Sequence, residues 1–187
     1  MKIKKIKISQ KGFKYSIMIG NGIINSTRSQ IRKACPEVKK ICLVADKNIP
    51  VGLRGKLKKQ LTNYELHEVI LNPSEKLKSF SNVSKLTDKL LSLNFNRTDL
   101  IISFGGGVIG DYSAFVASIL KRGINLINIP STLLSQVDSS IGGKTGVNSS
   151  LGKNLIGSFY QPDIVISDTM LLNSLPKREI ICGYAEI

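Results

Sequence analysis

Little in this chain marks it as secreted or membrane-spanning. Its 187 residues include three cysteines, Cys35, Cys42 and Cys182. They are scattered and form no CxxC pair, which argues against a disulfide framework and leads us to expect the reduced thiols of a cytoplasmic protein. No apolar run approaches the roughly 20 residues that a membrane-spanning helix needs. The start, MKIKKIKISQKGFKYSIMIG, is basic, but it alternates apolar and polar residues. It lacks the unbroken hydrophobic stretch and small-residue cleavage site of a signal peptide. There is one histidine, His67, inside ELHEVIL, and its position reads as a strand or edge histidine rather than a ligand. Internal repeats and low-complexity linkers are absent.

Acidic residues are also scarce: 13 against 27 lysines and arginines, for a net charge of +14. Such an excess can signal nucleic acid, a membrane surface or a phosphorylated substrate. Many of the lysines are scattered (Lys2, Lys4, Lys5, Lys58, Lys59) and have none of the interleaved aromatics of a single-strand binder. Most of the charge therefore reads as solvated surface, with no nucleic-acid or membrane partner expected. A few lysines are better explained by a phosphorylated ligand. With 42% apolar and 21% charged residues, the chain has ordinary globular composition. Its length suits one sizeable domain or a domain plus part of another.

Alternation through KIKKIKIS and FKYSIMIG, with QKG between them, predicts an N-terminal β-hairpin. A helical stretch is expected over Ile23–Ala34. KICLVAD is a continuous apolar run, the mark of a buried parallel strand. A helix over Pro50–Leu61 and a strand ELHEVIL follow. Apolar residues recur at helical spacing from Glu75 to Leu93. Three more strands, DLIISF, INLINIP and DIVISD, complete the pattern, with a helix over Val108–Leu120. Alternating strands and helices imply an α/β fold with a Rossmann-like parallel sheet and right-handed crossovers. Ligands of such sheets sit at the carboxyl ends of the strands. The informative residues fall there: Asp46 and Asn48, Glu75 and Lys78, Gly105 to Asp111, Pro130 onward and Asp168 onward.

DLIISF runs straight into GGGVIGD. Glycines let the backbone turn and approach a ligand closely, and the helix N-terminus that follows suits a pyrophosphate. The spacing is not GxGxxG, and a purely structural turn is the competing reading. Asp111 reads as a helix cap or as a partner for a ligand hydroxyl. Pro130 to Asn154 is richer still. Ser131 and Thr132 suit a cap or a nucleotide contact. Asp138, beside Ser139 and Ser140, suits a polyol. Lys144 and Lys153, each next to glycine, suit a phosphate or carboxylate as point charges, with Asn154 adjacent. Either lysine alone would read as a solvated surface cation.

The stretches GGGVIGD, RG, IPSTLLSQVDSSIGGKTGVN, GKNLIGSFYQP and SLPKREIICGYAEI occur in an order and spacing that together resemble the 3-dehydroquinate synthase family of the shikimate pathway. The match spans nearly the whole chain and is densest from Gly105 to Glu186. The wider superfamily, with glycerol dehydrogenase-like and iron-dependent alcohol dehydrogenases, shares only a glycine-rich turn of this type. The resemblance implies a lyase of chorismate and aromatic amino acid biosynthesis. It would act on 3-deoxy-D-arabino-heptulosonate 7-phosphate, a phosphorylated seven-carbon sugar acid. It would use NAD, regenerated each turn, and a divalent metal, zinc or cobalt, as Lewis acid.

The resemblance also implies roles for individual residues. Asp46, Asn48, Glu75 and Lys78 would contact the adenosine side of the cofactor. Gly106, Gly107, Val108, Ile109, Gly110 and Asp111 would form the pyrophosphate and ribose turn. Ser131, Thr132, Leu134, Ser139, Leu171, Leu172, Asn173, Ser174, Leu175 and Glu179 would complete the cofactor site. Leu171 stands where an aromatic is common, and Ser131 where threonine is. Asp138, Lys144, Lys153 and Asn154 would meet substrate, with Asp138, Lys144 and Lys153 also near the cofactor. Arg122 would reach the substrate phosphate from the neighbouring subunit of a homodimer. Glu186 would be the first of three metal ligands, the other two being histidines of a C-terminal helical domain that has no counterpart here. The expected division is an NAD-binding domain over 1–175 and the start of the helical domain over 176–187. The chain alone is expected to be inactive. Open alternatives are an NAD-binding module without catalysis, a related sugar-phosphate cyclase and a polyol dehydrogenase.

Overall fold

In the computed structural model, residues 3–10 and 12–187 are described. Met1 and Lys2, at the start of the expected hairpin, and Lys11, in its turn, lie outside the described residues. The elements run in the order β1 (Lys4–Gln10), β2 (Phe13–Gly20), α1 (Thr27–Ala34), β3 (Lys40–Asp46), α2 (Val51–Gln60), β4 (Glu65–Leu71) and α3 (Phe80–Ser92). Then come β5 (Leu100–Gly105), α4 (Gly107–Ile119), β6 (Asn125–Pro130), β7 (Lys144–Ser149), β8 (Gly152–Phe159), β9 (Ile164–Asp168) and α5 (Lys177–Tyr184). No helix among the described residues is long and apolar enough to cross a membrane.

Seven strands form one sheet in the order β1-β2-β9-β6-β5-β3-β4. Only the β1–β2 hairpin is antiparallel; every other pair is parallel. Alternate side chains of β3 enter two different cores, which is why its sequence is apolar without a break. Ile41, Leu43 and Ala45 pack with Ile31 of α1 and Leu57 of α2. Cys42 and Val44 pack with Leu86 of α3 and Val116 of α4. Each fully buried aliphatic side chain contributes roughly 1.5–3 kcal/mol. Edge strand β1 carries exposed Lys4, Lys5 and Lys7, charges that hinder pairing with another chain. His67 lies on the opposite edge strand, β4, where its Nε2 is 2.8 Å from Glu65 Oε1 and its ring meets Phe95 edge-on.

The strand order reverses direction between β3 and β5. From β3 the chain moves outward to β4; from β5 it moves the other way, to β6 and then β9. A crevice opens at such a point, outside the carboxyl ends of the strands. Asp168 ends β9 fully buried and ties the far side together. Its carboxylate accepts from the N–H groups of Gly22 (2.7 Å), Ile24 (3.0 Å) and Met170 (2.9 Å).

Local chemistry alters the expected elements in three places. The helical spacing over 75–93 breaks after a short 3-10 turn at Glu75–Leu77. Ser79 turns extended and caps α3, its Oγ accepting from Asn82 N–H. The carbonyl of Lys78 is taken by Asn148 N–H at 2.8 Å. The stretch over 23–34 likewise begins as a 3-10 turn at Ile23–Ser26 before α1. In Pro130–Asn154, for which the sequence suggested no strand, lie a π turn at Ser135–Ser139 and β7, which pairs with β8 in a separate antiparallel arm. That pairing depends on two facing glycines. A Cβ on Gly157 would lie 2.0 Å from the Thr145 carbonyl oxygen, and one on Gly146 would lie 2.8 Å from the Ile156 carbonyl oxygen.

Candidate functional site

Two cavities flank the start of α4. The first, about 530 Å³, sits at the switch point. Asp46 and Asn48 from the end of β3 line one side; Gly106, Gly107 and Val108 line the floor. Ser131, Thr132 and Leu134 follow β6, and Leu171, Ser174, Leu175 and Glu179 close the rim. Asp46 orders its own loop, Oδ1 accepting from Asn48 N–H at 2.8 Å. Burial raises the Asp46 carboxyl above the ordinary range, opposed by that hydrogen bond and by Lys47 and Arg54. Ser131 N–H donates to the Gly105 carbonyl at 2.9 Å, which pins the two strand ends side by side. Thr132 and Ser135 cap each other: Thr132 N–H donates to Ser135 Oγ, and Ser135 N–H to Thr132 Oγ1.

The glycine turn leaves the N-terminus of α4 bare. Gly106 offers no side-chain cap, and the first turn holds no acidic residue. The free N–H groups and positive end of this 13-residue helix therefore face the crevice. Space is limiting here: a Cβ at Gly106 would lie 3.1 Å from Thr132 Cγ2, and one at Gly107 would lie 3.0 Å from Ser139 Oγ. A Cβ at Gly105 would meet Ile109 at 2.6 Å, so Gly105 serves packing of α4 on β5. Ile109 is buried in the core and Gly110 lies beneath the turn; neither lines this cavity.

The second cavity, about 510 Å³, lies between the start of α4 and the β7–β8 arm. Asp111, Asp138, Ser139, Lys144 and Asn154 line it, with Leu155 and Phe159 of β8. Asp138 and Lys144 are exposed at its mouth, and Lys153 is exposed beside it without lining it. Gly142 and Gly143, just before Lys144, have φ of 86° and 71°. Only glycine takes this left-handed backbone readily.

Lys78 joins the two halves. Its Nζ donates to Asp111 Oδ2 at 2.6 Å and to Asn154 Oδ1, and its side chain is almost fully buried. Asp111 thus sits inside the helix as an ion-pair partner and not as its cap. Burial raises the Asp111 carboxyl, while Lys78 pulls it back down. Glu75 and Lys78 stand beside the second cavity and line neither one. Leu172 and Asn173 line neither cavity either. Arg122 is exposed beyond the far end of α4, about 20 Å along the helix from its N-terminus. Glu186 is exposed after α5. Among the described residues no three histidines, cysteines or carboxylates cluster closely enough to hold a metal.

Sequence reasoning missed the arm residues Leu155 and Phe159 and the bridging residue Asn148. The apolar pair gave a faint signal, since both are bulky residues in an otherwise small and polar stretch. Asn148 gave none, because its partners in the body, Glu75 and Lys78, lie about 70 positions upstream.

A family profile described as 3-dehydroquinate synthase N-terminal matches residues 68–182. The 3-dehydroquinate synthase of Pelagibacter ubique (strain HTCC1062) is 51% identical over 187 residues, covering 100% of this chain and 51% of that protein. The chain spans about half the length of the curated relatives it matches. A solved structure of 2-deoxy-scyllo-inosose synthase, complexed with carbaglucose-6-phosphate, NAD+ and Co2+, superposes with a TM-score of 0.89 at 27% identity. It covers 97% of this chain and 50% of that one. A 2-epi-5-epi-valiolone synthase from Streptomyces hygroscopicus subsp. jinggangensis 5008, with NAD+ and Zn2+ bound, shares the fold with a TM-score of 0.82 at 24% identity, over 95% of this chain and 49% of that one.

Proposed function

The chain belongs to the 3-dehydroquinate synthase family, and from that premise we propose that it is the cofactor-binding half of such an enzyme. The reaction would convert 3-deoxy-D-arabino-heptulosonate 7-phosphate to 3-dehydroquinate and phosphate. The observation that carries this reading is the uncapped N-terminus of α4 on a glycine floor at the switch point. That floor fits a dinucleotide: its backbone donors suit a pyrophosphate, and Asp46 and Asn48, which line the same cavity, would meet the adenosine side. NAD, when bound, would take a hydride from a substrate carbinol and later return it. The second cavity would take the substrate. Lys144 and Lys153 would meet its anionic groups as point charges, and Asp138 and Asn154 would bond its hydroxyls.

Arg122 sits at the wrong end of α4 to reach either cavity of its own chain. We assign it to the phosphate of a second copy, which makes the working unit a homodimer. The residues present do not fit a metal centre: Glu186 stands alone, so no step is routed through a metal here. On this reading 1–175 are the cofactor domain, 176–187 begin the next, and the chain by itself does not turn over. A cytoplasmic location is supported by three free thiols, two of them buried.

Calorimetric titration of the chain with NAD is expected to show saturable binding. Phosphate release from the heptulosonate phosphate, with NAD and zinc, is expected only when the chain is joined to the C-terminal half of the Pelagibacter ubique relative. No NAD binding by the folded chain would overturn the cofactor assignment. No phosphate release by the folded, joined protein would overturn the substrate.

A further inference from the structure

The β7–β8 arm meets the body of the protein through buried Val147, through Ser158 on Ser118 and through Asn154 on Lys78, and near its tip through Asn148. Asn148, near the end of β7, makes three hydrogen bonds shorter than 3 Å to two separate segments, besides a long one of 3.5 Å from Nδ2 to the Glu75 carbonyl. Its N–H donates to the Lys78 carbonyl at 2.8 Å. Its Nδ2 donates to Glu75 Oε1 at 2.8 Å. Its Oδ1 accepts from Asn154 N–H at 2.9 Å. Asn154 needs such a hold, because its φ is 56°, a left-handed backbone that a residue with a Cβ adopts at a cost. That conformation also carries Asn154 Oδ1 to Lys78 Nζ, which in turn holds Asp111.

We propose that Asn148 is a positioning residue. It fixes the backbone of Asn154 at the second cavity and the carboxylate of Glu75 on the opposing turn, so that both are set by one amide. An amide is required because the two contacts need opposite polarity: an acceptor for Asn154 N–H and a donor for the Glu75 carboxylate. Its consequence for binding rests on the NAD reading above; its geometric part does not.

Two variants separate the contacts. Asn148→Ala removes both side-chain bonds. Asn148→Asp keeps the acceptor for Asn154 but sets a second carboxylate against Glu75. The first readout is hydrogen exchange of the Asn154 backbone amide. It is expected to quicken about tenfold in Asn148→Ala, the loss of one hydrogen bond, and to stay near the parental rate in Asn148→Asp. The second readout is NAD affinity by calorimetry, expected to fall about tenfold in both variants, since both release Glu75. Glu75 stands outside the lining of both cavities, but the family resemblance assigns it to the adenosine side of the cofactor. A merely structural residue would quicken the Asn154 amide equally in the two variants. A parental Asn154 rate in Asn148→Ala overturns the clasp, and parental NAD affinity in both variants overturns its role in binding. Should the parental chain itself fail to bind NAD, the cofactor reading falls, while the Asn154 rates still decide whether the clasp exists. If Asn148→Ala does not fold, a quickened Asn154 amide in Asn148→Asp overturns the proposal.

Discussion

The switch-point cavity is walled by the ends of buried parallel strands, whereas the second cavity is walled on one side by a two-stranded arm whose outer strand is exposed along most of its length. In the first, backbone amides, small side chains and one ordered loop face the crevice, and each is fixed by strands buried on both faces. In the second, polar side chains from α4, from the glycine turn before β7 and from β8 face the cavity, held by a few polar ties. A site for an invariant, rigid ligand part can be built from backbone. The contrast predicts that damage to the ties between the two regions costs most, damage within the arm less, and a change in the charge of the strand-end wall least.

Lys78 is the tie with the largest expected effect. It is buried against Asp111, and removing one partner of such a pair leaves a charge without compensation. Lys78→Met is expected to lower stability by about 3 kcal/mol, read as a fall in Tm of roughly 6–12 °C for a chain of this size. The second cavity should suffer, because Asp111 and Asn154, which both line it, lose their common donor. A loss under about 1 kcal/mol, the range of surface ion pairs, would mean that the two regions stand independently.

The parts of the fold with strong local signals were legible in the sequence. A continuous apolar run gave β3, apolar-rich stretches gave β5, β6 and β9, and the glycine run after β5 gave the turn at the crevice. The arm was not legible. GKNLIGSF lacks the alternation of a half-buried strand, because β8 lies mostly in the open and pairs through the glycine contact at Gly146 and Gly157. Nor was the pairing of β2 with β9, since nothing local records a contact between segments more than 140 residues apart. Lys78 illustrates the limit at the site. Periodicity put it inside a helix, but its ion pair with Asp111 and the capture of its carbonyl by Asn148 stop the helix before it can form. The roles of the charged residues came from resemblance, not from pattern, because a lysine beside a glycine looks the same whether it is solvated or binding.

Gly157→Ala tests the arm by itself. The added Cβ would stand 2.0 Å from a backbone oxygen that no rotamer can move. The strands must part, at a cost of about 2 kcal/mol. The expected signature is local: amides of β7 and β8 lose protection from hydrogen exchange while those of β3, β5 and β6 keep theirs. Loss of protection across the whole sheet would show that the arm and the body unfold together, and would erase the distinction drawn between the two cavities.

The smallest effect concerns the strand-end wall. Burial raises the Asp46 carboxyl above its ordinary value, more than Asn48 N–H, Lys47 and Arg54 lower it. A raised folded-state value means that the folded protein keeps this proton to higher pH than the unfolded chain does. Stability therefore falls as pH rises from about 3.9, the unfolded value, to the folded value, and is flat above it. Asp111 and Asp163, also raised mainly by burial, add to the same decline. Asp46→Asn removes one contributor, so unfolding by denaturant measured stepwise from pH 4 upward should give a shallower decline than the parent, with the other two aspartates still acting. An unchanged slope would mean that water reaches Asp46 freely, and the strand-end wall would then be as open as the arm.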